Sequence, residues 1–318
     1  MLQLTVDWLV YSCLGFNTDS MIGGVVNFFL YDSVKILLLL FFMIAVIGFI
    51  RTYISQNKIK EWIVRKGVFG NLFASFFGSI TPFCSCSSIP IFLSFLEVGI
   101  PLGVTFSFLI TSPLINEYLV IIMLGFFGWK ITLFYVLSGI IIGVISGVIL
   151  GRMGMEKYLV KGLVIEDKQT IKERVYKSIK ERILFGIGEA KLIIKKLWLW
   201  VLLGVGVGSI IHNYVPQETM QFIISKAGPF SVPIAAILGV PMYGSCAAIV
   251  PIAVVLFRKG VPLGTALAFM MATAALSFPE AVILRRAMKL QLIAIFFGVT
   301  TVAIIITGYL FNMLQSIM

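Results

Sequence analysis

Histidine occurs once in this 318-residue chain, cysteine four times, and charged side chains make up only 12% of it. Each shortage excludes something. A soluble domain carries about 25% charged residues; half that, with 59% hydrophobic residues, excludes an ordinary soluble fold. His212 is expected in a loop and is given no role, which leaves no imidazole for a histidine metal site or a serine-protease triad. The absence of a G-x-x-x-x-G-K-[ST] loop excludes ATP hydrolysis by a P-loop in this chain. No Lys or Arg precedes Lys35, so the N-terminus lacks the basic region of a signal peptide. The four cysteines, Cys13, Cys84, Cys86 and Cys246, have no disulfide-framework spacing. Cys-x-Cys is also not the Cys-x-x-Cys of a structural zinc site. No metal and no cofactor is expected.

What is present is apolar helix. Ile36–Ile50, Ile131–Leu150, Leu197–Ile211 and Leu290–Phe311 are uncharged or nearly so, and a helix of about 20 residues crosses the hydrocarbon core. The strand alternation of a membrane barrel is missing. The fold class expected is an all-α polytopic membrane protein. The net charge of +11 sits in loops, where orientation requires it, so nucleic acid is not expected as a partner.

The chain repeats itself. GSITPFCSCSSIPIFLSFLEVGIPLG from Gly78 resembles GVPMYGSCAAIVPIAVVLFRKGVPLG from Gly239. Ser85-Cys86 is paired with Ser245-Cys246, Pro90 with Pro251, and Gly99–Gly103 with Gly260–Gly264. With a two-residue shift Glu117 pairs with Glu280. This divides the chain into an N-terminal amphipathic or extra spanning segment (1–32), a first transmembrane repeat (33–151), a charged linker (152–192) and a second repeat (193–316). Residues 152–196 hold twelve Lys/Arg against six acids and are expected to be cytoplasmic. The 51–67 loop is basic and its counterpart 212–227 is not, whereas Arg285, Arg286 and Lys289 outnumber the lone Lys130. That reversal predicts inverted-topology repeats. Arg258 and Lys259 run against the count. The linker itself reads as amphipathic helix, with Ile171, Val175, Ile179 and Ile183 every four residues.

Proline removes a helix hydrogen bond, and broken backbone survives in lipid only when buried in protein or lining a wet cavity. Pro90, Pro113, Pro241, Pro251 and Pro279, with Asn116, therefore predict discontinuous or re-entrant helices meeting at a central site. Thr81, Pro82, Cys84, Ser85 and Cys86 of the first broken segment, and Tyr243, Ser245 and Cys246 of the second, are the candidate substrate contacts. Thiols select soft, thiophilic species. Cys13 is read as packing. Carboxylates inside a membrane are costly and functional by default, which makes Glu117 and Glu280 candidates for proton coupling. Burial is expected more firmly of Glu117, because Glu280 stands only five residues before Arg285.

TPFCSCSSIP, the following GIPLG and TSPLINE, and the mirrored PMYGSCAAIVP, GVPLG and SFPE resemble the organoarsenical efflux permease family, the ArsP-type predicted permeases. The resemblance covers residues 30 to 316. It implies a multi-pass cell-membrane permease, not an enzyme, that exports trivalent organoarsenicals such as methylarsenite, with a thiol site at Cys84 and Cys86. Secondary transport by alternating access, with proton antiport, is the expected mechanism. The partners are then a small-molecule substrate and the lipid bilayer, and a homo-oligomer is compatible. The alternatives are a membrane thiol oxidoreductase using Cys84 and Cys86, a channel, and a permease for another soft or small uncharged solute.

Overall fold

The computed structural model describes residues 2–17, 20–53, 67–81, 85–160, 178–214, 223–224, 226–241, 246–285 and 287–315. They form helix, and among them there is no strand, only one isolated bridge between Leu159 and Met288. Helix α1 (Leu2–Asp7) runs on into a π-helical turn, Trp8–Cys13. Helix α2 is Met21–Arg51, α3 Val68–Ile80, α4 Ser85–Val98, α5 Leu102–Leu114 and α6 Glu117–Arg152. After the linker come α7 (Ile179–Tyr214), α8 (Ser231–Gly239), α9 (Cys246–Arg258), α10 (Leu263–Ala275), α11 (Phe278–Leu284) and α12 (Leu290–Gln315). Among the described residues, four stretches are long and apolar enough to cross a membrane: Ile22–Ile50, Leu119–Arg152, Leu263–Leu284 and Leu290–Gln315.

The helix boundaries have local causes. Ser20 opens α2 by accepting the Gly23 amide at 3.0 Å, a side-chain cap for an otherwise orphan N–H. Gly99 (φ 79°) and Gly260 (φ 88°) close α4 and α9. The Gly99 and Ile100 amides donate to the Leu96 and Phe95 carbonyls, and the Gly260 and Val261 amides to Phe257 and Leu256, at 2.9–3.1 Å. This is a left-handed cap that a Cβ would strain. Pro101 and Pro262 then start α5 and α10, where a missing N–H costs nothing. Gly128 (φ 77°) breaks α6 into two arms.

Every residue of α5 and of α10 is buried. These two 13-residue helices touch each other and form the middle of the protein, walled by α3, α4 and α6 on one side and α8, α9 and α12 on the other. A helix apolar on all faces must be enclosed. The outer helices turn apolar faces outward, through Phe69, Phe73 and Phe76 on α3, Ile141, Ile145 and Ile149 on α6, and Val302, Ile306 and Leu310 on α12. That is the pattern lipid requires, not a folding error.

Small residues let backbones approach. A Cβ on Gly78 would stand 3.1 Å from the Phe108 carbonyl oxygen, and one on Gly239 would stand 2.9 Å from that of Phe269. Gly103 lies against Gly147 and Gly151, and Gly264 against Gly308. Each contact recurs at a displacement of 161 residues, as do the Gly99/Gly260 caps. Helices α2 and α7 run antiparallel: Gly48 meets Gly186, Phe29 faces Gly206, and Arg182 Nη1 donates to the Thr52 carbonyl at 2.6 Å while stacking on Tyr53. Helix α12 begins beside the chain that leaves α6, since the Lys289 amide donates to the Tyr158 carbonyl at 2.9 Å.

The prolines break less helix than expected. Pro90, Pro113 and Pro251 sit inside continuous α4, α5 and α9. Pro279 is the second residue of α11, where proline is tolerated, and Pro241 lies in the turn after α8. Asn116 is buried just ahead of α6, its carbonyl accepting the Val120 amide.

Candidate functional site

Helices α4 and α9 start at Ser85 and Cys246, each five residues before its proline. Pro90 offers no N–H to the carbonyl of Cys86, and Pro251 none to that of Ala247. The first turn of each helix therefore presents orphan N–H groups and one carbonyl without its i+4 donor. Cys86 and Ser85 have their backbones in that first turn of α4, and Cys246 has its own in that of α9. Pro82, Cys84, Tyr243 and Ser245 lie outside the described residues. Thr81 ends α3, its hydroxyl donating to the Phe77 carbonyl at 2.9 Å.

The helical register corrects one pairing. Counted from the prolines, Cys246 stands where Ser85 does, not where Cys86 does, and Ser245 stands where Cys84 does. The Ser-Cys match is one residue out of step with the Pro and Gly landmarks around it.

The two acids exchange places. Glu280 is fully buried, on the short helix α11 that packs against both α4 and α7. Its amide donates to the Oγ of Ser277, which caps that helix, so Ser277-Phe-Pro-Glu280 has capping-box spacing. Glu117, the first residue of α6, is exposed. The expectation that Glu117 was the more deeply placed is thus reversed. Distance along the chain to the next charge misled it: Arg285 follows Glu280 closely in sequence, but α11 has already turned Glu280 inward.

The acid-bearing helices cross over. α11, from the second half of the chain, lies on α4, which carries Cys86; α6, from the first half, lies on α9, with the Phe127 and Phe257 rings 5.6 Å apart. Behind the start of α4, the hydroxyls of Ser88 and Ser112 are 2.9 Å apart and tie α4 to α5. Tyr135 is fully buried and donates its hydroxyl to the Leu114 carbonyl at 2.8 Å, satisfying an acceptor at the end of α5. Ser88 and Ser112 fall in proline segments expected to line a cavity but were not among the named contacts, and Tyr135 was missed. Ser88 and Ser112 were visible as hydroxyls near Pro90 and Pro113, but Tyr135 lies inside an apolar run with nothing to mark it. No group of three or more His, Cys, Asp or Glu side chains stands together among the described residues.

A buried helical pair enclosed by helices with apolar outer faces is the arrangement of an integral membrane protein, with polar groups gathered on short helices between long ones. A family model described as "Predicted permease", ArsP_1, matches residues 21–313, and the chain belongs to that family. Among curated relatives it is 25% identical over 187 residues to a Streptococcus mutans protein provisionally named a two-component membrane permease complex subunit, covering 55% of this chain and 58% of that one. It is 24% identical over 204 residues to UPF0718 protein YcgR of Bacillus subtilis, covering 61% and 66%. With UPF0718 protein MJ0584 of Methanocaldococcus jannaschii it shares 20% identity over 350 residues, covering 91% and 94%. The chain thus matches about six-tenths of the length of the first two. No solved structure matches it.

Proposed function

We propose that the chain is a secondary permease exporting a small thiophilic solute, a trivalent organoarsenical such as methylarsenite, by alternating access between two inverted halves. The observation that carries the two-halves reading is the set of close contacts repeated at 161 residues, combined with the antiparallel course of the matching helices α2 and α7. The second arm of α6 and α12 support it in the same way. Helices α3, α4 and α5, at 13 or 14 residues, are each about 20 Å long, short of the roughly 30 Å core. Short segments at matching places in two halves are where carriers of this kind bind their cargo.

Binding is exchange at arsenic. The thiols of Cys84 and Cys86 replace the two hydroxyls of methylarsenite, forming two As–S bonds and releasing two waters, with no change of oxidation state. The reverse hydrolysis releases the cargo. The thiols and the family's name support the arsenical. Glu280 is the acid we assign to proton coupling, because it is fully buried on α11, a helix that packs against the cysteine-bearing α4 as well as α7. The linker is assigned to the cytoplasm: Arg152, Lys157, Arg182, Arg285 and Lys289 collect at the ends of the helices that meet there. The name of the Streptococcus relative supports a second subunit, and native mass of the purified chain reads out a homo-oligomer.

The test is uptake into everted vesicles of methylarsenite, inorganic arsenite and a non-thiophilic control. Selective accumulation of methylarsenite that disappears in Cys84→Ser/Cys86→Ser is the expected result. Equal uptake by the variant sinks the thiol site, and wild type that moves nothing thiophilic sinks the substrate class.

A further inference from the structure

We infer that the corner formed by residues 152–160, 285 and 287–290 is a binding site for the headgroup of an anionic phospholipid. After Arg152 the chain turns at Gly154 (φ 58°), makes one 3-10 turn (Met155–Tyr158), and pairs antiparallel with the segment that leads into α12. The Val160 amide donates to the Ala287 carbonyl and the Lys289 amide to the Tyr158 carbonyl, both at 2.9 Å. Leu159 and Met288 are buried beneath the pair. Two segments more than a hundred residues apart are thereby held side by side by two backbone bonds, which leaves most of their side chains for another use.

Those side chains are basic. Lys157, Arg285, Lys289 and Arg152 are all exposed, and the acid on this corner among the described residues is the exposed Glu156. The Lys289 Nζ reaches the Lys157 carbonyl at 3.5 Å, and the Lys157 Nζ lies 5.2 Å from the centre of the Tyr158 ring. The corner also stands at the edge of the apolar zone. Membrane-spanning α6 ends at Arg152 and membrane-spanning α12 begins at Leu290, and Met153 and Leu290 are 45% and 63% exposed. A headgroup phosphate meets the bases while an acyl chain lies along those two apolar side chains. A free phosphate uses only the first half of that surface. Basic clusters between spanning helices at a membrane face recognise anionic lipids in this way.

The test is native mass spectrometry of the full chain in detergent with phosphatidylglycerol or phosphatidylcholine, for wild type and Lys157→Gln/Arg285→Gln/Lys289→Gln. The variant keeps the backbone pairing, and a thermal melt checks that it folds. Retention of phosphatidylglycerol is expected to fall about a hundredfold, with phosphatidylcholine unchanged. A control that removes equal charge from α7, Lys180→Gln/Lys191→Gln/Lys195→Gln, is expected to retain the lipid. Three outcomes overturn the inference: loss below threefold, equal loss in the α7 control, or displacement of the lipid by inorganic phosphate at the lipid's own concentration.

Discussion

The seam between α5 and α6 and the seam between α10 and α12 follow one backbone plan and hold it with different chemistry. In the first, α6 presents Gly139, Gly143, Gly147 and Gly151 every four residues, and Ile115, Thr111, Ser107 and Gly103 lie over them. In the second, the corresponding places on α12 are Thr300, Ile304, Gly308 and Asn312. Only the Gly103–Gly147 and Gly264–Gly308 approach is common to both. At the end of the second seam, Asn312 Oδ1 and Gln315 Oε1 accept the Gly264 and Leu263 amides at 2.7 and 2.6 Å, capping α10 from a neighbouring helix. The first seam has glycines at 151 and 154 instead. One half closes its helix N-terminus with side chains; the other relies on backbone contact. The two seams share the close approach of the backbones and differ in their polar fastening.

The acids differ between the halves in the same sense, and there the largest effect is expected. Glu280→Gln should lose proton-driven uptake in everted vesicles, while Glu117→Gln, changing an exposed side chain, should keep most of it. The reverse ranking would break the comparison. Of the matched pair Gly147 and Gly308, Gly147→Ala should be the costlier small change, about 2–3 kcal/mol, because the new Cβ meets the Gly103 carbonyl oxygen at 2.6 Å and the Ser107 hydroxyl as well. Its counterpart Gly308→Ala should cost about 1 kcal/mol, since the atom at 2.6 Å is a Val232 methyl that can shift, and the Gly264 carbonyl oxygen is 3.0 Å away. Thermal unfolding of the purified chain ranks the pair. Asn312→Ala should cost about 1 kcal/mol through the lost cap of α10, whereas Gly151→Asn in the other half should destabilise rather than supply the same cap, because its Cβ would stand 2.9 Å from the Gly103 Cα. The smallest effect is expected at Ser75. Its buried Oγ has no hydrogen-bond partner among the described residues, so Ser75→Ala should be neutral or slightly stabilising.

Much of this architecture was legible from local pattern. Gly-x-Pro-Leu-Gly at 99–103 and 260–264 marks a left-handed helix end followed by a helix start, because glycine tolerates positive φ and proline begins helices, and the structure has both. The apolar runs Ile36–Ile50, Ile131–Leu150 and Leu290–Phe311 foretold spans, whereas Leu263–Leu284 was not among them and Leu197–Ile211 falls where the apolar stretch of α7 is shorter, Leu197–Gly206. The prolines were over-read: Pro90 and Pro251 come early enough in their helices that the lost bond falls near the N-terminal end, and the helix runs through them. The thiol register was misread because Ser-Cys is a weaker landmark than Pro and Gly, whose positions backbone geometry enforces.

Composition, apolar length and the glycine and proline landmarks by themselves determined a helical membrane protein with matching helix ends at 99–103 and 260–264, because those features act through the backbone and the solvent, both of which are local. Which acid is buried, which serines meet, how Asn312 and Gln315 cap a helix some fifty residues away, and how Lys157 comes to stand beside Lys289 were decided only in the tertiary structure. Each of those depends on a distance between segments remote in sequence, and such a distance is set by the packing of whole helices, which no local pattern encodes.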